Sequence, residues 1–126
     1  MTKKIISTNK APGAIGPYSQ AIQLGDILFC SGQIPLNPEN GEVIQGSISE
    51  QAHRVMKNIE AVLSAADFKF ANICKTTIFL SDMRHFAEVN EVYASYFKEA
   101  PPARSCVAVA GLPKSVDVEI EVIAHR

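Results

Sequence analysis

Residues 104–110, Arg104-Ser105-Cys106-Val107-Ala108-Val109-Ala110, and residues 116–124, Val116-Asp117-Val118-Glu119-Ile120-Glu121-Val122-Ile123-Ala124, close the sequence with two alternating runs. Side chains of a strand point to opposite faces in turn, so Val118, Ile120 and Val122 share one side and Asp117, Glu119 and Glu121 the other. In the earlier run Val107 and Val109 project one way, and Arg104, Cys106 and Ala108 the other. Read as a hairpin joined by residues 111–115, the pair keeps one apolar face only if the valine rows lie side by side. A slip of one residue would carry carboxylates into the core. The expectation is a common second face holding Arg104, Cys106, Glu119 and Glu121.

Working back from this pair, the sequence alternates strand and helix signals. Ile73 to Leu80 holds the β-branched run Thr76-Thr77-Ile78 and reads as a strand. Asp82 suits the cap of a helix in which Phe86, Val89, Tyr93 and Tyr96 or Phe97 keep helical spacing until Pro101-Pro102 stops it. Upstream, Ser47-Ile48-Ser49-Glu50 is a capping-box pattern, followed by Ala52, Val55, Met56, Ile59, Val62, Leu63 and Ala66 on one helical face. Residues 20–24 and 27–34 flank Gly25-Asp26, a pair suited to a two-residue hairpin turn with positive φ at the glycine. Residues 11–17 and 35–46, rich in proline and glycine, read as loops. The order β-β-α-β-α-β-β predicts an α+β fold in which two helices cover one face of a mixed sheet.

Composition bounds the function. The 126 residues fit one domain, 1–126, large enough to bury about two-thirds of its unfolded surface without staples. Twelve basic side chains against thirteen acidic ones leave a net charge of -1, so no global field draws nucleic acid or anionic lipid. The cysteines, Cys30, Cys74 and Cys106, are odd in number, which suits reduced thiols in a cytosol. No apolar run approaches the roughly 18 residues of a membrane span, and the short Ile5-Ile6 pair after two lysines lacks a signal-peptide core. The expected setting is cytoplasmic, with neither nucleic acid nor membrane as partner.

The stretch Pro102-Ala103-Arg104-Ser105-Cys106-Val107, continuing through Gly111-Leu112-Pro113 to Val118-Glu119-Ile120-Glu121, resembles the C-terminal signature of the YjgF/RidA family, also known as endoribonuclease L-PSP. The likeness extends to Ile15-Gly16-Pro17-Tyr18-Ser19-Gln20, Ser31-Gly32-Gln33-Ile34-Pro35, Lys75-Thr76-Thr77, and Val89-Asn90 with Tyr93 and Phe97. It implies a chorismate-mutase-like α+β domain assembled as a homotrimer with a site at each subunit boundary. It also implies a 2-iminobutanoate/2-iminopropanoate deaminase that takes small 2-imino or 2-enamino acids released by pyridoxal-phosphate enzymes and itself needs no cofactor or metal. Carried over by residue, Arg104 would grip the substrate carboxylate and Glu119 would position or activate water. Tyr18, Ser31 and Gly32 would line the pocket, Gly32 and Cys106 would offer backbone contacts, and Asn90 would contribute beside them.

Each of these residues has an ordinary reading as well. Arg104 and Glu119 suit a solvated sheet face, Tyr18 a packing role, Ser31-Gly32 a strand distortion and Asn90 a local hydrogen bond. Cys106 beside an arginine is a candidate nucleophile, but His53, His85 and His125 stand on separate elements and none is visibly its base. No two histidines or cysteines fall at metal-ligand spacing. Ribonuclease chemistry and a ligand- or protein-binding regulatory role are the alternatives. The former calls for a basic groove and an acid-base pair that do not stand out.

Overall fold

The computed structural model describes residues 2–126. Strands β1 (Lys3–Ile6), β2 (Ala21–Leu24) and β3 (Ile27–Gln33) precede helix α1 (Ile48–Ala65). Strand β4 (Ile73–Leu80), helix α2 (Phe86–Ala94) and strands β5 (Ala103–Ala108) and β6 (Val118–His125) complete the chain. They form one six-stranded sheet of order β1-β2-β3-β6-β4-β5, in which only the β4–β5 pair is parallel. This is the expected mixed α+β sheet.

Local signals explain the elements they predict. Ser47 caps α1 by accepting from the Glu50 amide at 3.2 Å, and the Glu50 carboxylate accepts in return from the Ser47 amide at 3.3 Å. Gly25, at φ 62°, turns β2 into β3 with Leu24 opposite Ile27, as the two-residue turn requires. Strand β1 lies outside the sequence expectation. Its four residues pair Ile5 with Ile22 and Ile6 with Ala21 on the outer edge of that hairpin. Helix α2 stops at Ala94, well short of Pro101-Pro102, and Asp82 caps a preceding 3-10 turn by accepting from the Arg84 amide at 2.8 Å.

The last two strands do not form a hairpin. Strand β4 lies between them, pairing antiparallel with β6 on one edge and parallel with β5 on the other. The cause is the connection: a chain that leaves β4, runs through α2 and returns to the same sheet arrives parallel to its starting strand. The faces follow from the registers. Val118, Ile120, Val122 and Ala124 are buried beneath the helices with Thr76, Ile78 and Leu80 of β4. Thr76 and Ile78 stand opposite Arg104 and Cys106, so these two side chains lie on the helix-covered side. Phe79 stands opposite both Glu119 and Val107, which lie on the open side. Arg104 and Glu119 therefore occupy opposite faces, against the sequence expectation, and Val107 is 44% exposed instead of joining the core row.

The core between sheet and helices is built from Val55, Met56, Ile59, Val62 and Leu63 of α1, Val89 and Val92 of α2, and the buried strand positions. The other face is uncovered: Ile5, Leu24, Ile27, Phe29 and Val107 are all exposed there, and Glu119 and Glu121 of β6 share it.

Candidate functional site

The predicted site residues fall into two groups at separate places in the chain. The first surrounds a cleft of about 610 Å3 walled by Tyr18, Ser31, Gly32, Ile34, Lys114 and Glu119, with Ile15, Leu36 and Pro113 adding apolar surface. Its floor is a β-bulge. Cys30 pairs with Val122 and Gln33 with Ile120, so Ser31 and Gly32 together oppose the single residue Glu121. The bulge places Gly32 beneath the Glu119 side chain, where a Cβ would overlap the carboxylate. Burial, with the neighbouring Glu121 charge adding to it, pushes the Glu119 carboxyl above its usual range. A carboxyl so placed carries a proton more readily than an ordinary surface glutamate.

The walls are fastened by residues whose role local sequence did not reveal. The Ser31 hydroxyl donates to the Ser19 carbonyl at 2.6 Å, which fixes the exit of the Tyr18 loop and leaves only lone pairs of that oxygen for a ligand. Buried Gln20 accepts from the Thr8 amide at 2.7 Å and donates to the Pro12 carbonyl at 2.8 Å, clamping the 11–17 loop. Asn58, wholly buried on α1, donates to the carbonyls of Ile34 and Leu36 at 3.2 and 3.0 Å and so holds the opposite wall. The available signal was a single polar residue on the apolar face of an amphipathic helix.

The second group sits on edge strand β5 and helix α2. Arg104 donates from Nη1 to Asn90 Oδ1 at 2.7 Å, and its guanidinium carbon lies 5.0 Å from the Tyr93 ring centre and 5.6 Å from that of Phe86. Asn90 thus turns inward to the arginine. Cys106 projects to the same face two residues on. Burial pushes its thiol up, only partly opposed by the Arg104 charge, so it lacks the lowered pKa an activated nucleophile needs. His53 contacts the Tyr96 hydroxyl at 3.0 Å, and His85 lies 3.7 Å from Asp117. Neither contact involves Cys106. Among the described residues, no group of three or more His, Cys, Asp and Glu side chains gathers as metal ligands.

From β6, which carries Glu119, to β5 the sheet crosses two strand intervals, roughly 10 Å at ~4.8 Å each, and to the bulge on β3 a third. Arg104 and Glu119 are further divided by the sheet itself. A ligand of three or four carbons does not bridge the two groups within one chain.

Residues 8–126 match the endoribonuclease L-PSP family. A RutC family protein of Pyrococcus horikoshii is 50% identical over 98% of this chain and 98% of its own length. The mouse 2-iminobutanoate/2-iminopropanoate deaminase is 48% identical over 97% of this chain and 90% of its own length. Among solved structures, a Rid family protein of Yersinia pestis superimposes with a TM-score of 0.96 at 50% identity, covering 99% of this chain and 100% of that one. Escherichia coli TdcF with bound serine gives 0.93 at 48% identity, covering 98% of each chain. The chain belongs to the endoribonuclease L-PSP family, the YjgF/RidA family of its sequence signature.

Proposed function

We propose that this member of the YjgF/RidA family hydrolyses 2-iminobutanoate and 2-iminopropanoate, with their enamine tautomers, to 2-oxoacids and ammonia, at sites completed between copies of the chain in a homotrimer. The observation that carries the reading is the pairing of complementary half-sites: an arginine pre-set for a carboxylate on β5, and a raised-pKa glutamate over a glycine bulge on β6 and β3. The mouse relative's activity and the small amino acid bound to TdcF support the substrate class.

The chemistry follows from the groups. Arg104 forks onto the substrate carboxylate and fixes the imine carbon in place. With the imine nitrogen protonated, Glu119 takes a proton from water as the water oxygen bonds to that carbon, giving a carbinolamine. Glu119 returns that proton to nitrogen and takes the hydroxyl proton as the carbon–nitrogen bond breaks, leaving a 2-oxoacid and ammonia. Tyr18 and the Gly32 backbone line the pocket, with the Cys106 backbone on the arginine side. In this reading orientation and proton transfer carry the reaction.

The open sheet face supplies a surface for packing against other copies, since Ile5, Ile27 and Phe29 form an exposed apolar cluster on strands β1 to β3, with Val107 exposed at the far edge. We place the enzyme in a reducing cytosol, in keeping with three unpaired thiols. The test generates 2-aminocrotonate with a pyridoxal-phosphate dehydratase and follows 2-oxobutanoate release with and without the purified chain. Acceleration that disappears in Arg104→Ala supports the reading. A rate equal to the spontaneous one overturns it.

A further inference from the structure

Helix α2 aligns Phe86, Asn90 and Tyr93 on one face at spacings of four and three residues, and that face looks onto Arg104. The edge strand sets Arg104 directly opposite Thr76 of β4. The Thr76 hydroxyl and the Tyr93 hydroxyl are 2.7 Å apart, both residues buried, and the Tyr93 ring lies under the guanidinium. The ring also packs 4.7 Å from Phe97, centre to centre. The tyrosine is thus held at its hydroxyl and by a second ring, while the arginine resting on it is exposed.

We propose that Tyr93, tethered by Thr76, is the positioning residue that orients the Arg104 guanidinium for a substrate carboxylate; this rests on the imine-hydrolase reading above. An exposed arginine samples many rotamers, and each must be abandoned when it grips a ligand. Tyr93 and Phe86 offer π-faces to the cation and Asn90 takes one N–H, so the fork is set beforehand with four donors free. Desolvation keeps the Tyr93 hydroxyl above its ordinary pKa, so it remains a neutral hydrogen-bonding group across the working range. The hydroxyl is buried against Thr76 and not free for a ligand. It acts through the ring, and the ring acts through the arginine.

The test compares Tyr93→Phe, Thr76→Val and their double variant with the wild type, because all three keep the packing volume and remove the same hydrogen bond. The reaction rate with 2-iminobutanoate gives KM and kcat, and NMR of the Arg104 guanidinium protons in the free protein gives an activity-independent readout. The expected result is a KM raised about threefold with kcat within twofold, the double variant no worse than either single one, and shifted Arg104 resonances. Tyr93→Leu, which removes the ring, is expected to raise KM about tenfold. Unchanged Arg104 resonances in both single variants overturn the positioning role, as does a KM left at its wild-type value. Shifted resonances in a protein that hydrolyses no imine uphold the positioning and overturn the imine reading alone.

Discussion

The Glu119 carboxylate packs directly against the Cα of Gly32, where an added Cβ would overlap Oε2 and come 2.9 Å from Cδ. Only a residue without a side chain allows this approach, and the β-bulge brings it there. Gly32→Ala is expected to swing the carboxylate aside. The displaced atoms end a flexible side chain, so the fold should lose less than about 1 kcal/mol, while kcat/KM falls by more than tenfold as the proton-transfer group moves off its position. Thermal melting alongside imine kinetics separates the two; full activity in a folded Gly32→Ala protein would show that the carboxylate need not sit there.

The same burial gives Glu119 a pH signature. Its folded pKa is raised, so the folded chain favours the protonated carboxyl more than the unfolded chain does. The group therefore costs no stability in acid, and the cost appears as pH rises through the unfolded and then the folded pKa. Glu119→Gln should melt higher than the wild type at pH 7, with the gap closing near pH 4. Its imine hydrolysis should be slow at every pH, whereas the wild-type rate climbs as Glu119 ionises. Melting curves at the two pH values check the first statement and a pH–rate profile the second.

Arg104 separates charge from geometry. On the proposed reading, Arg104→Ala takes away two charge-assisted hydrogen bonds to the substrate carboxylate, each about 1.5 kcal/mol, and should lower kcat/KM at least roughly a hundredfold. Arg104→Lys keeps the charge, loses the fork, and should retain part of the activity, within roughly tenfold of the wild type. Because Arg104 is exposed, neither change should move the melting temperature appreciably. Equal activity in Ala and Lys variants would show that Arg104 does not hold a substrate carboxylate.

Asn58 shows how a buried amide shapes a cleft it does not enter. It donates to two carbonyls of the 34–36 wall and accepts from Arg54 Nε at 3.2 Å. Asn58→Leu strands those carbonyls and should destabilise the chain by about 2–3 kcal/mol, measurable by urea unfolding. A loss under about 0.5 kcal/mol would mean that water reaches the wall.

What the sequence made legible was local. The Ser47–Glu50 box, the Gly25-Asp26 turn and the β-branched run of β4 each specify their own element within a few residues. Alternation in residues 104–124 correctly separated the two sides of each strand but carried no information about which strand lies next to which. The valine rows looked like natural partners. The α2 crossover instead sent β5 to the far edge of β4, where Arg104 finds Tyr93 and Asn90 above Thr76. Strand β1, four residues long with two lysines, had too little apolar pattern to announce itself. The site residues were recognisable as a set only through the family signature, since their ordinary readings hold position by position.

Separation of Arg104 from Glu119 by sheet and strand order makes a prediction that one chain by itself cannot satisfy. If each working site takes Arg104 from one copy and Glu119 from another, Arg104→Ala and Glu119→Gln chains are each inactive alone and complement one another when mixed. Unfolded together in equal amounts and refolded, they assort at random. A site is intact only when the arginine side comes from a Glu119→Gln chain, half the time, and the glutamate side from an Arg104→Ala chain, again half the time. Activity should then recover to about a quarter of the wild-type level, in a particle whose mass by light scattering is that of three chains. Introducing Phe29→Asp into both parents puts a charge on the open sheet face and should abolish both the particle and the recovery. Mixed trimers without any recovered activity would mean that the two residues serve no shared site.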